Sequence, residues 1–277
     1  MIPLGAIYTI GWRRLRLLRR DRPGLATKPR LVSYWAGLIV LAASLMSPID
    51  YLGGQLFFMH MLQHLLTMMV AAPLLLLANP FPFMLWGVPR GPRHAIGGLF
   101  TRDSLFRRSL IVVTRPAVAW MIFLTVYLGW HEPLLYNLAL RRDWVHDLQH
   151  ITFFLASMLY WWHVIGAGPR IHGRFPVWAR MGYLIGTIPP NMMTGVAIAF
   201  SSTVIYTYYE SIPRLWGFTV LQDQMIGGVI MWIAGSMMFL LAALLVLATL
   251  TRDRDELPLR PPQERSVAEL PTADVSG

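Results

Sequence analysis

Two short stretches of this chain spell nearly the same word. His60-Met61-Leu62-Gln63-His64 returns as His146-Asp147-Leu148-Gln149-His150. In each, two imidazoles stand four residues apart, which on a helix puts them on one face, a turn from each other. Such a pair can grip one metal ion from a single helix, the device of helical zinc sites. Two pairs on facing helices offer up to four nitrogen ligands, and a further histidine, His131, falls in the loop before the second pair. A lone histidine on an apolar helix reads as a hydrogen-bonded core residue; two matched pairs move the reading to a metal. The chain has no cysteine, which excludes thiolate ligands, disulfides and a cysteine nucleophile. Its 16 methionines are chiefly core fillers. Met59 and Met61 flank His60, however, and a thioether is a soft ligand that leans the choice from zinc toward copper. Gln63 and Gln149 are placed either to orient a histidine or to bond across helices. Asp50 and Asp223 read as supporting groups or as caps. Asp50 follows Pro48 in a short turn, and Asp223 precedes an apolar run, where a carboxylate favours the helix N-terminus.

The elements that must hold these residues are membrane helices. The chain is 55% apolar and 14% charged, against roughly 25% charged in a soluble domain. Apolar runs of about 20 residues span a bilayer. They predict an all-α transmembrane bundle of six full spans, near 31–48, 56–78, 110–130, 145–165, 181–200 and 225–250. Residues 2–12 are too short to cross and read as the last half of a seventh, partial span. Asn79-Pro80-Phe81-Pro82 stops the second span, and Pro189-Pro190 bends the fifth. The prolines and glycines of 87–109 argue for a loop, 201–224 for a polar aromatic loop, and 251–277 for a disordered cytoplasmic tail.

Charge gives the sidedness. All but three of the 24 Lys and Arg residues fall on one side of this layout; Arg141, Arg142 and Arg214 are the exceptions. That bias puts the basic segment 13–30 and the tail in the cytoplasm. It also explains the net charge of +10 without nucleic acid. His60, His64, His131, His146 and His150, with Asp50 and Asp223, then share the outer side, and the two pentads lie at equal depth. No phosphate-binding loop, nucleophile elbow or dinucleotide fingerprint is present, and the reading is not that of an enzyme. No charged residue marks the centre of a span, so a proton path through the bilayer has no support.

SPIDYLGGQLFFMHMLQHLLTMMVAAPLLLLANP, HEPLLYNLAL, HDLQHITFF and DQMIGGVIMW together resemble the CtaG-like cytochrome c oxidase assembly factors, over roughly residues 9–250. The resemblance implies a multi-pass protein of the bacterial cytoplasmic membrane that helps mature a haem–copper oxidase at its copper-delivery step. It implies copper held by His60, His64, His146 and His150, with His131 as a fifth or gating ligand. Asp50 and Asp223 would support them, and oxidase subunits or a copper chaperone would be the partners. Three alternatives stay open: a haem protein with axial histidines, a metal-free scaffold for oxidase subunits, and a copper permease using Met68, Met69, Met192 and Met193 at several depths.

Overall fold

The computed structural model describes residues 1–18, 25–101, 104–167, 173 and 175–255, with side chains to Thr249. Arg170, His172, Arg174 and residues 256–277 lie outside the described residues, and with them most of the expected tail. The described residues form helices and connections, with no strand among them.

Along the chain run α1 (Ile2–Leu18), α2 (Lys28–Leu45), α3 (Pro48–Gly53) and α4 (Phe57–Leu65). A π-helical turn (Leu66–Ala71) joins α4 to α5 (Ala72–Leu77) in one unbroken rod. Next come α6 (Pro80–Gly87), α7 (Arg90–Leu99), α8 (Leu105–Val113), α9 (Pro116–Trp130), α10 (Pro133–Arg141) and α11 (Asp143–Ile165). After α12 (Val177–Ile185), α13 (Ile188–Ala199) and a short 3-10 turn, the last rod is α14 (Val220–Val229), a second π turn (Ile230–Gly235) and α15 (Ser236–Asp255).

Two rods, Phe57–Leu77 and Val220–Thr249, are long and apolar enough to cross a membrane. The pair α8 and α9 reaches that mark jointly but bends by 70° between its halves. The other expected spans, near 31–48, 145–165 and 181–200, correspond to α2, α11 and the pair α12 and α13.

Local chemistry explains most boundaries. Ser47 accepts a hydrogen bond from Ile49 N, and Pro48 takes the first position of α3, where a missing N–H costs nothing. Asn79 adopts the left-handed conformation (φ 49°), ending α5, and Pro80 starts α6 at once. The break at 186–187 lets Pro189 and Pro190 occupy the first turn of α13 instead of kinking a continuous helix. Where α13 meets α14 and the π turn that follows it, the backbones nearly touch. A Cβ on Gly195 would stand 2.7 Å from Trp232 N, and one on Gly228 2.5 Å from Ala199 N.

Four expectations need correction. The stretch 87–109 is no irregular loop, because it contains α7 and the start of α8. Pro92 sits in the first turn of α7, where its lost donor was never needed. The third span is bent because Arg115 is extended before Pro116, as sterics demand. The last rod begins at Val220, within the expected loop, because Thr219 and Gln222 form a reciprocal capping box; it also runs on to Asp255, into the expected tail. Finally, α1 continues through Leu18 and packs along α6. Arg14 donates to the Trp86 carbonyl (3.0 Å), and Tyr8 donates to that of Ala78 (2.9 Å).

The core divides in two. Tyr8, Tyr34, Leu38, Leu75 and Phe83 fill the space among α1, α2, α5 and α6. Phe57, Met61, Phe153, Tyr160 and Phe239 anchor the larger core, where α4 and α11 meet the later helices.

Candidate metal centre

The first pentad rides on α4, and α4 is fixed at its start by a distant residue. The Asp223 carboxylate, fully buried, accepts hydrogen bonds from Phe57 N and Phe58 N, both at 3.0 Å. Arg214 pairs with the same carboxylate at 2.8 Å. Asp223 is therefore a cap, but for α4 and not for its own helix, which Thr219 caps. Gln224 ties the loop above by accepting from Ile205 N (2.7 Å).

The second pentad occupies the first turns of α11, so the two pairs meet at one end of the bundle. The His60 and His64 ring centroids lie 4.4 Å apart, and those of His146 and His150 lie 4.3 Å apart. Across the helices, His60 is 5.3 Å from His146 and 5.9 Å from His150, and His64 is 5.1 Å from His150. His60, His146 and His150 each bring a ring nitrogen within 4.8 Å of the others. His146 Nε2 and His150 Nε2 are 3.0 Å apart. Two nitrogens bound tetrahedrally to one ion at about 2.0–2.1 Å would stand roughly 3.3 Å apart, so this pair needs little movement to share one.

Burial and satisfaction point the same way. His60, His64 and His150 are buried, and His146 is half-buried. Both ring nitrogens of His64 and Nδ1 of His150 have no hydrogen-bond partner, and those of His60 have only a contact with the Gln149 side chain that falls outside normal hydrogen-bond geometry. Buried polar atoms are normally satisfied, and each exception asks for a reason. One free nitrogen from each of these three rings, beside His146, is what a set of metal ligands requires. With no thiolate or carboxylate among them, this set suits a borderline or soft metal.

The remaining candidates divide. Gln63 donates to Asp50 (2.7 Å) and to the Ser44 carbonyl (2.9 Å), so it binds α4 to α2 and α3 and orients no histidine. Asp50 acts through that bond, while Ser47 holds the cap position. Gln149 is buried beside the cluster with its carbonyl oxygen unpartnered. Met59 is half-buried and lines neither the triad nor the cavity below it, whereas Met61 lines that cavity. His131 stands outside the triad. Its Nδ1 lies 2.6 Å from the Tyr127 carbonyl, and burial pushes its pKa down to about 4 against the opposing effect of that bond. Met192 and Met193 are exposed on α13.

An aromatic roof covers His60. Tyr136 lies 5.3 Å from its ring, and Tyr206 packs between Tyr136 (4.2 Å) and Phe57 (4.8 Å). Tyr136 and Tyr209 share a hydrogen bond of 3.1 Å. Phe153 sits 4.6 Å from His64. Sequence reasoning missed Tyr136, Phe153 and Asn191 as neighbours of the site. The tyrosines of 201–224 were a signal of it, and so was a buried amide just after two prolines in an apolar run.

Comparison with known proteins bears on these observations. A family model described as cytochrome c oxidase caa3 assembly factor matches residues 6–253. Among curated proteins, the chain is similar to uncharacterized proteins of Mycobacterium bovis and Mycobacterium tuberculosis. It is 28% identical to each over 239 residues, which cover 82% of this chain and 35% of the relative. A Mycobacterium leprae protein, also uncharacterized, is 26% identical over 270 residues, covering 94% of this chain and 39% of its own length. The chain thus spans well under half the length of these relatives. No solved structure matches it.

Proposed function

The chain belongs to the cytochrome c oxidase caa3 assembly factor family, and from that premise we propose that it binds copper through the facing histidine pairs and helps load an oxidase copper centre. His60, His146 and His150 are the principal ligands, with His64 beside them. The observation that carries this reading is the group of orphaned ring nitrogens where the two pentads meet. Orphaned nitrogens are expected of metal ligands and are costly in a core that holds none.

The same proposal includes the membrane topology. α2, the Phe57–Leu77 rod, the bent α8–α9 pair, α11, the α12–α13 pair and the last rod each cross the bilayer. The basic segments around α1, α7 and α8 face the cytoplasm. The histidines then lie under the outer surface, with half-buried His146 nearest to solvent. A shallow outer site suits exchange with a chaperone or an oxidase subunit whose copper domain stands outside the membrane. Imidazoles bind metal as neutral rings, so affinity falls below about pH 6.

The test is metal analysis of the purified full chain in detergent at pH 7, wild type beside a His60→Asn/His64→Asn variant. Copper in the wild type and a lower copper content in a folded variant support the reading. A wild-type protein that takes up no copper overturns it.

A further inference from the structure

One turn deeper than the histidine cluster, the bundle contains a cavity of about 30 Å³, room for a single water-sized particle. Met61, Met68, Met69 and Met231 line it, together with His64 and His131. All four methionines are buried. Methionine is a common filler of irregular gaps, so a cluster alone would mean only packing. Three further features say more.

First, both π-helical turns of the molecule's described residues border this cavity. Met68 and Met69 belong to Leu66–Ala71, and Met231 belongs to Ile230–Gly235. A π turn gives up regular helical hydrogen bonding and recurs at functional sites. Here each turn is held by a side chain from another helix. Trp161 Nε1 donates to the Met68 carbonyl (2.9 Å), and Asn191 Nδ2 donates to the Met231 carbonyl (3.1 Å). The two bonded carbonyls belong to methionines that line the chamber.

Second, His64 reaches this cavity as well as the cluster, buried, with neither ring nitrogen partnered. Third, the His131 Nδ1 contact is with a carbonyl, which can only accept. Nδ1 therefore carries the proton, and Nε2 keeps its lone pair. A backbone carbonyl that fixes the ring in this way is the usual partner of a metal-bound histidine.

We propose that this chamber is a second metal site, built of thioethers and imidazole and selective for cuprous copper, which His64 connects to the outer histidines. Thioether sulfur is a soft donor that favours Cu(I) and has little affinity for Zn²⁺ or Cu²⁺ held by oxygen and nitrogen. The chamber stands on its own residues; only its supply from the outer cluster rests on the copper reading of that cluster.

The experiment titrates the purified full chain anaerobically with Cu(I), against a chromophoric Cu(I) chelator. In parallel it is titrated with Ag(I) as a redox-inert probe, and the Ag(I)-loaded protein is examined by X-ray absorption. Wild type is expected to bind two ions per chain with sulfur among the ligands. Met68→Leu/Met231→Leu, which nearly conserves volume, should bind one and lose the sulfur signal. His60→Asn/His146→Asn should also bind one and keep it. Wild type without sulfur ligation overturns the chamber, as does a sulfur signal unchanged in the methionine variant. One nitrogen-only ion overturns the chamber and leaves the outer cluster standing. One sulfur-bound ion that survives the histidine replacements supports the chamber and overturns the outer cluster; no ion at all overturns both. Should the methionine variant fail to fold, the wild-type spectrum alone decides whether sulfur binds.

Discussion

Replacing Asp223 tests how the histidine cluster is held in place. Its carboxylate caps two backbone N–H groups of α4 and neutralises Arg214, and it is fully buried. Asp223→Ala removes the cap, which by itself costs about 1 kcal/mol. It also orphans one buried and one part-buried donor, at about 1–3 kcal/mol each in the worst case. Arg214 loses its partner too, but its side chain is 22% exposed, so water offsets much of that loss. Because these contributions overlap, the expected total is about 3–5 kcal/mol, in the range for breaking one side of a buried pair. Arg214→Ala leaves both N–H bonds in place and should cost about 1–2 kcal/mol. Asp223→Asn keeps the acceptor but not the charge and should fall between. For a chain this size, 1 kcal/mol shifts Tm by about 2–3 °C. Thermal unfolding in detergent should therefore show losses of about 6–15 °C for Asp223→Ala and about 2–6 °C for Arg214→Ala. If the cluster binds copper as proposed, its capacity should fall with Asp223→Ala, although no histidine was touched, because α4 carries His60 and His64 from this anchor. Equal losses for the two variants, or an Asp223→Ala protein with wild-type Tm, would refute the argument that the cap on α4 dominates.

Other outcomes follow from particular contacts. Gly195→Ala should lower stability by about 1–3 kcal/mol through overpacking against Trp232, whereas Gly97→Ala, in open space on α7, should raise it by about 0.5–1 kcal/mol; a melting comparison of the two decides it. Trp161→Phe deletes the donor to the Met68 carbonyl and should cost about 1–3 kcal/mol while leaving the outer histidines alone; unchanged Tm would count against that bond. His131, with its pKa depressed to about 4 by burial, stays neutral while its unfolded counterpart takes a proton near 6.5. Stability it contributes is thus present above about pH 6.5 and lost as pH falls toward 4. Unfolding at pH 7 and pH 5 should show a smaller pH-dependent loss in His131→Gln than in wild type.

What the sequence made legible was whatever is local or repeated. The pentads announce one helix face each, and the fold brings the two faces together. Partners far apart in the chain were not legible. Nothing near Asp223 indicates that its carboxylate serves Phe57 and Phe58, because that bond closes a loop of about 165 residues and only the packed bundle brings the ends together. Glycine and proline misled at 87–109, where Pro92 falls in a first turn that tolerates it. The capping box at Thr219 and Gln222 was a readable signal that went unread beneath an abundance of polar aromatic residues. The π turns leave no mark in composition, since the residues of LTMMVA and IMWIAG would be at home in an ordinary helix.

The bond from Asp223 to the start of α4 has a bearing on biogenesis. A ribosome delivers the first pentad long before it delivers the residue that steadies it, at roughly 5–20 residues per second. Through that interval the early histidines wait without their anchor. A nascent chain halted just short of residue 223 would own every imidazole of the cluster and still lack the carboxylate that sets their helix in place.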